Sequence, residues 1–190
     1  MRLFIAIMAD GQFRKALTDT LEQMKQDGIS GRFVPEENLH ITIAFIGESD
    51  AEPVINALSR ISFLPFEIRL NGTGMFGDTF WAGVKDNDRL KALADQVRQE
   101  LSAAGITYDG KDFIPHITLI RRMKGSGKTY SVQDCRMTVS SISLMHSDLS
   151  SGRPHYIEIA SFGNTVRSEL IHDKMFQQMS DKMDKNTEDL

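Results

Sequence analysis

The sequence predicts two similar lobes of strands and helices that face one another across a cleft. Three observations carry this expectation. An apolar strand, an amphipathic helix and a β-branched strand follow in that order twice. The last strand of each copy opens with His-Ile-Thr, at His40 and again at His116. At 190 residues the chain has the length of about one domain, so both copies belong to a single body.

The first copy opens with Leu3 to Met8, a short apolar run that suits a buried strand. Asp10 stands where a helix N-cap belongs, Phe13, Leu17, Leu21 and Met24 follow at helical spacing, and Gly28 closes the segment. A turn-rich stretch ending in Pro35-Glu36-Glu37-Asn38 then leads into Leu39 to Ile46, rich in β-branched residues. A short helix fits Ala51 to Ser59. The second copy starts with the strand Phe80 to Val84. Asn87 or Asp88 caps a helix bearing Leu90, Leu93, Val97 and Leu101, with Gly105 as its stop. Phe113-Ile114-Pro115 leads into His116 to Ile120. Further strands fit Phe66 to Leu70, Met137 to Met145 and Tyr156 to Ala160. Residues 1–162 thus form the two-lobed body. Residues 163–190 form a charged extension, with Val166, Leu170, Ile171, Met175 and Met179 at helical spacing.

Composition narrows the function. Hydrophobic residues make up 41% of the chain, enough for a sizeable core. A net charge of −4, with bases and acids mixed along the chain, argues against a long basic groove gripping many phosphates. It leaves room for one phosphate or one nucleic-acid end. The single cysteine, Cys135, allows no internal disulfide and fits a reducing compartment. The apolar start from Leu3 to Ala9 is too short for a membrane span. A cytoplasmic monomer without membrane association is expected.

Two motifs mislead. Gly72-Thr73-Gly74-Met75-Phe76-Gly77 spells a dinucleotide-binding fingerprint, but that chemistry needs a helix immediately afterwards, and Asp78-Thr79-Phe80-Trp81 reads as a strand. We read it as a glycine-rich turn. Gly127-Lys128-Thr129 resembles the end of a phosphate-binding P-loop, yet its partner glycine falls on Arg122, so Lys124 to Lys128 reads as a plain loop.

The paired His-x-Thr remains. Five histidines and eleven threonines in this length give about 0.3 chance occurrences, so two matched copies are unusual. A single copy on a strand is an ordinary core histidine beside a β-forming threonine; the pair argues for chemistry. Residues i and i+2 of a strand share a face, so His40 and Thr42 point together, as do His116 and Thr118. If the lobes face each other, two imidazoles and two hydroxyls converge. One imidazole can protonate a departing oxygen while the other takes a proton from water. The hydroxyls can donate to non-bridging phosphate oxygens. Neither metal nor cofactor is required, and His146, His155, His172 and Cys135 show no ligand spacing for zinc.

At these residues the sequence resembles the two-histidine (2H) phosphoesterases, and within them the RNA 2′,3′-cyclic phosphodiesterases once called 2′-5′ RNA ligases. The resemblance covers residues 2 to about 162. It rests on Arg2-Leu3-Phe4-Ile5-Ala6, Phe33-Val34-Pro35-Glu36-Glu37-Asn38-Leu39-His40-Ile41-Thr42, Phe45-Ile46-Gly47-Glu48, Phe80-Trp81-Ala82-Gly83-Val84, Pro115-His116-Ile117-Thr118-Leu119 and Ser147-Asp148-Leu149. It implies a bilobal α+β fold, each lobe an antiparallel sheet with helices on its outer side and the site between. It implies further that His40 is the acid toward O3′, that His116 activates water, and that Thr42 and Thr118 bind the phosphate. The substrate would be an RNA 3′ end or a small cyclic nucleotide, and the product a 2′-phosphate.

Two more positions follow from the resemblance. Phe45 matches a residue that stacks on the terminal base, and Arg121 one that contacts substrate. Both lie five residues after a histidine, so simple alternation turns them away from it and favours Arg122 instead; a bend must reorient them. Phe33 replaces a common Trp, and His146 replaces a common Arg, which removes a cation expected near the cleft. Other activities of the same kind fit these residues too, such as 2′-5′ cleavage or reversible 2′-5′ joining. So does a module that holds a nucleotide without turnover, although two intact histidines favour an enzyme.

Overall fold

The computed structural model describes residues 1–125, 129–150 and 152–163. Most of the extension from residue 163 onward, with its helical spacing, lies outside the described residues, as does most of the glycine-lysine loop. The elements run β1 (Arg2–Met8), α1 (Gly11–Gln26), β2 (Ser30–Phe33), a single 3-10 turn (Glu36–Asn38), β3 (His40–Glu48) and α2 (Ala51–Leu58). Then come β4 (Phe66–Phe76), β5 (Thr79–Val84), α3 (Asp88–Ala103), β6 (His116–Lys124), β7 (Arg136–Val139), β8 (Ile142–Asp148) and β9 (His155–Phe162).

Local chemistry sets both long helices. The Phe13 N–H donates to Asp10 Oδ1 at 2.9 Å and the Leu90 N–H to Asn87 Oδ1 at 3.0 Å, so each helix is capped by its own side chain. Between Asn87 and Asp88, the structure selects Asn87. Gly28 and Gly105 follow the helices with φ of 77° and 70°, the left-handed ending that favours glycine. The predicted apolar faces are all buried: Phe13, Leu17, Leu21 and Met24 on α1, and Leu90, Leu93, Val97 and Leu101 on α3. Each such side chain contributes about 1.5–3 kcal/mol by leaving water.

The strands depart from expectation in three places. Ser30–Phe33 was expected as turn; it is the strand β2, pairing with β6 from the other copy. The glycine-rich segment is strand rather than turn up to Phe76, and only Gly77-Asp78 reverse the chain. The run Met137 to Met145 is two strands broken at Ser140-Ser141, and these go to opposite halves of the sheet. A continuous apolar run does not reveal a break when both pieces are buried on one face.

All pairings are antiparallel, in the order β7-β4-β5-β6-β3-β1-β8-β9, with β2 beside β6. The order is a palindrome about the β6–β3 junction: β5, β4 and β7 on one side match β1, β8 and β9 on the other. The lobes therefore do not coincide with halves of the sequence. β8 and β9 complete the sheet of β1 and β3, β2 joins the other, α1 packs on β7 and α3 on β3. One face of the curled sheet, with Leu3, Ile5, Ile41, Ile43, Ile117 and Leu119, joins the helices in the main core. The opposite face carries a small separate cluster of Phe4, Ala6 and Met145. That second face holds the candidate site.

Candidate active site

The lobes meet through a single cross-strand pair, Ile41 with Ile117. Because the strands are antiparallel, this register sets His40 against Thr118 and Thr42 against His116. Each lobe thus presents its histidine to the other lobe's threonine. Both isoleucines are buried, which leaves the four polar residues on the opposite face, all half-buried.

The two histidines are held alike. His40 donates Nδ1–H to the Asn38 carbonyl at 2.7 Å, and His116 donates Nδ1–H to the Ile114 carbonyl at 2.7 Å. Each bond reaches back two residues to the chain entering the strand. It settles the neutral tautomer and leaves Nε2 without a proton in both rings. Asn38 is itself buried, and its amide donates to the Pro154 carbonyl at 3.0 Å, tying the approach to β3 to the loop before β9. His40 Nε2 stands 3.0 Å from Thr42 Oγ1, which donates to it when the ring is neutral.

Aromatic pairs flank each ring. His40 packs between Phe4, at 5.0 Å between centroids, and Tyr156, at 5.3 Å and nearly perpendicular. His116 packs beside Phe76, at 5.0 Å and 86°, and Trp81, at 6.1 Å. Trp81 lies so close over Gly74 that a Cβ there would come within 2.2 Å of the indole. The second glycine of the misleading fingerprint is therefore a seat for a ring.

Surroundings set the charge of His40. Burial, opposed by the bond to the Asn38 carbonyl and reinforced by the nearby Arg121 guanidinium, pushes it down to about 4. Burial also raises the Tyr156 hydroxyl.

Matched bulges answer the question of parity. On β3 the register against β1 skips Ile43, and on β6 the register against β5 skips Leu119, each three residues after the histidine. Ile43 and Ala44 are consecutively buried, as are Leu119 and Ile120. The extra residue flips the alternation, so Phe45 lies opposite Phe4 and Arg121 beside Thr118 on the cleft face. Phe45 packs against the Phe4 cluster with the Arg2 guanidinium 4.9 Å above its ring. Arg122 takes the left-handed conformation, φ 52°, and is exposed. His146 pairs with Leu3, whose neighbour Phe4 faces the cleft, so position 146 points to the opposite face. The expected loss of a cleft cation at that position is therefore corrected.

A cavity of about 580 Å³ opens beside His40 and Thr118, within the range of small-molecule sites. Arg32, Arg121 and Arg153 reach it from β2, β6 and the loop before β9, with Tyr156 on its wall. The mixed charges of the sequence read as a solvated surface, yet folding gathers these three arginines. Arg32 lies in the stretch read as turn, and nothing local marks it or Tyr156 as site residues. Among the described residues, no group of three or more His, Cys, Asp or Glu could hold a metal ion. No helix among them is long and apolar enough to cross a membrane.

Residues 7–85 and 82–156 each match the family model described as LigT like Phosphoesterase. An RNA 2′,3′-cyclic phosphodiesterase of Thermotoga maritima is 34% identical over 64% of this chain and 70% of its own. One of Archaeoglobus fulgidus is 37% identical over 64% of this chain and 72% of its own. The crystal structure of E. coli LigT complexed with 3′-AMP superposes with a TM-score of 0.75 and 26% identity, covering 86% of this chain and 98% of that one.

Proposed function

The chain belongs to the LigT-like phosphoesterase family, and from that premise we propose how its cleft works as an RNA 2′,3′-cyclic phosphodiesterase. The crossed pairs carry the reading: two imidazoles present Nε2 toward one face, each opposite a hydroxyl from the other lobe. In the proposed reaction His116 Nε2 takes a proton from water, and the water oxygen bonds to phosphorus. The P–O3′ bond breaks, and His40 Nε2–H gives its proton to O3′, leaving a 2′-phosphate. Thr42 and Thr118 donate to the non-bridging oxygens as charge builds there, with the Arg121 guanidinium as countercharge.

The cavity supports this division of roles. A leaving ribose is bulky and an attacking water is not, and the cavity adjoins His40. His40, pushed down to about 4, is neutral at pH 7 before substrate binds. A phosphodiester anion at Nε2 opposes the repulsion from Arg121 and favours the protonated ring. The acid is thereby charged in the substrate complex. Phe45 lies on the same face, and in this reading it stacks on the terminal base.

The test is turnover of adenosine 2′,3′-cyclic phosphate followed by phosphorus NMR, with and without EDTA. The expected result is a 2′-monophosphate formed at the same rate in both. A 3′-monophosphate would reverse the leaving oxygen. Rate loss in EDTA that a divalent ion restores would remove the two-histidine mechanism. Cleavage of a 2′-5′-linked dinucleotide with no turnover of the cyclic ester would favour the alternative activity.

A further inference from the structure

We propose that Arg32, together with Arg153, forms a second phosphate site for the diester linking the terminal nucleotide to the one before it, so that the cleft selects oligonucleotide ends over cyclic mononucleotides. The proposal rests on the phosphodiesterase reading above and names its substrate class. Arg32 is the cross-strand partner of Arg121 on β6, and both residues line the same cavity. Like charges directly opposite on a sheet repel, so the pair is an arrangement that an anion relieves. A cyclic phosphate carries one negative charge, for which the two threonines and Arg121 suffice. The Arg32 guanidinium exceeds that need, and among the described residues none lining the cavity is acidic. The cavity adjoins the histidine assigned to the leaving ribose, which is the side from which the chain continues through O5′. Arginine on three separate elements also matches planar, bidentate recognition of phosphate.

The experiment compares kcat/KM for adenosine 2′,3′-cyclic phosphate, for the dinucleotide with the same cyclic end, and for that dinucleotide with an uncharged methylphosphonate link. The full-length wild-type protein should prefer the charged dinucleotide to the mononucleotide by roughly tenfold or more, the worth of one charge-assisted hydrogen bond. The methylphosphonate should lose that preference. Arg32→Gln should collapse the dinucleotide-to-mononucleotide ratio toward one, and Arg153→Gln should reduce it. The ratio is read within one preparation, so partial misfolding cancels. Melting should show Arg32→Gln no less stable than wild type, since it removes a repulsive pair. Equal turnover of all three substrates by wild type, or an unchanged ratio in Arg32→Gln, overturns the inference and leaves the phosphodiesterase reading standing. A preference that survives the methylphosphonate assigns it to base stacking and overturns the inference as well. No turnover of any cyclic substrate by wild type overturns the reading and the inference together.

Discussion

Ile41 pairs with Ile117 where the two lobes join, and the antiparallel sense of that one pair places each catalytic candidate opposite the other lobe's hydroxyl. A duplication side by side in parallel would have set histidine against histidine. The crossed arrangement separates the two imidazoles and leaves between them the space in which the proposed reaction sets the phosphate.

Thr42→Ala and Thr118→Ala are expected to keep the fold, because both threonines are half-buried on the cleft face. Each should lower kcat by about 2–4 kcal/mol of transition-state stabilisation if it acts as an oxyanion donor. Steady-state kinetics beside a thermal melt tests this. Wild-type kcat in both variants would make them strand formers only.

Removing the histidines should separate their roles. His40→Ala should recover much of its lost rate on an activated phosphodiester whose leaving group needs no proton. His116→Ala should stay impaired, because water must still be activated. Equal rescue of both rejects the assignment, and rescue of His116→Ala alone reverses it.

The pH profile should carry the charge state of His40. Its value of about 4 in the free enzyme places a break of kcat/KM near that pH, below which the cleft gains an extra proton. The kcat profile, read in the substrate complex, should lie at higher pH, because a bound anion favours the protonated ring. The constants belong to the coupled pair. Coincident profiles breaking near 6.5 would remove the proposed uptake of a proton with substrate.

Stability should follow the same group with a definite sign. His40 is lowered in the folded state from its ordinary 6.5 to about 4, so the unfolded chain binds the proton first on acidification. Its contribution is complete above about 6.5 and is lost as pH falls toward 4, by about 1–3 kcal/mol given a half-buried ring. Urea unfolding of wild type and His40→Gln across this range should show a flatter curve for the variant. Parallel curves would count against the depressed value.

Gly74→Ala should destabilise the protein by about 1–3 kcal/mol, because its Cβ meets the Trp81 ring. Trp81 is the one tryptophan in the chain, so its fluorescence reports the displacement directly. An unchanged emission spectrum and melting curve would show that the ring does not need the bare backbone.

Helices, caps and the histidine strands were legible because each depends on local chemistry. Asp10 and Asn87 bond to amides three residues away, and a repeat of buried Leu and Phe marks a helix face without reference to anything distant. The faces of His40 with Thr42 and of His116 with Thr118 follow from the pleat of a single strand. Recruitment of β2, and the break at Ser140-Ser141, were not legible. Both depend on which strand lies alongside, and the residues themselves read as turn or as unbroken apolar run.

The amino-acid sequence by itself determined the duplicated elements, the two candidate histidines and the chemistry that paired hydroxyls make possible. Tertiary structure alone decided that Phe45 and Arg121 share the histidines' face, that His146 leaves it, and that Arg32 and Tyr156 join it. The physical reason is that a bulge is a mismatch between two neighbouring strands. Skipping Ile43 against β1 and Leu119 against β5 shifts the count by one residue, and Phe45 and Arg121, which follow, change faces.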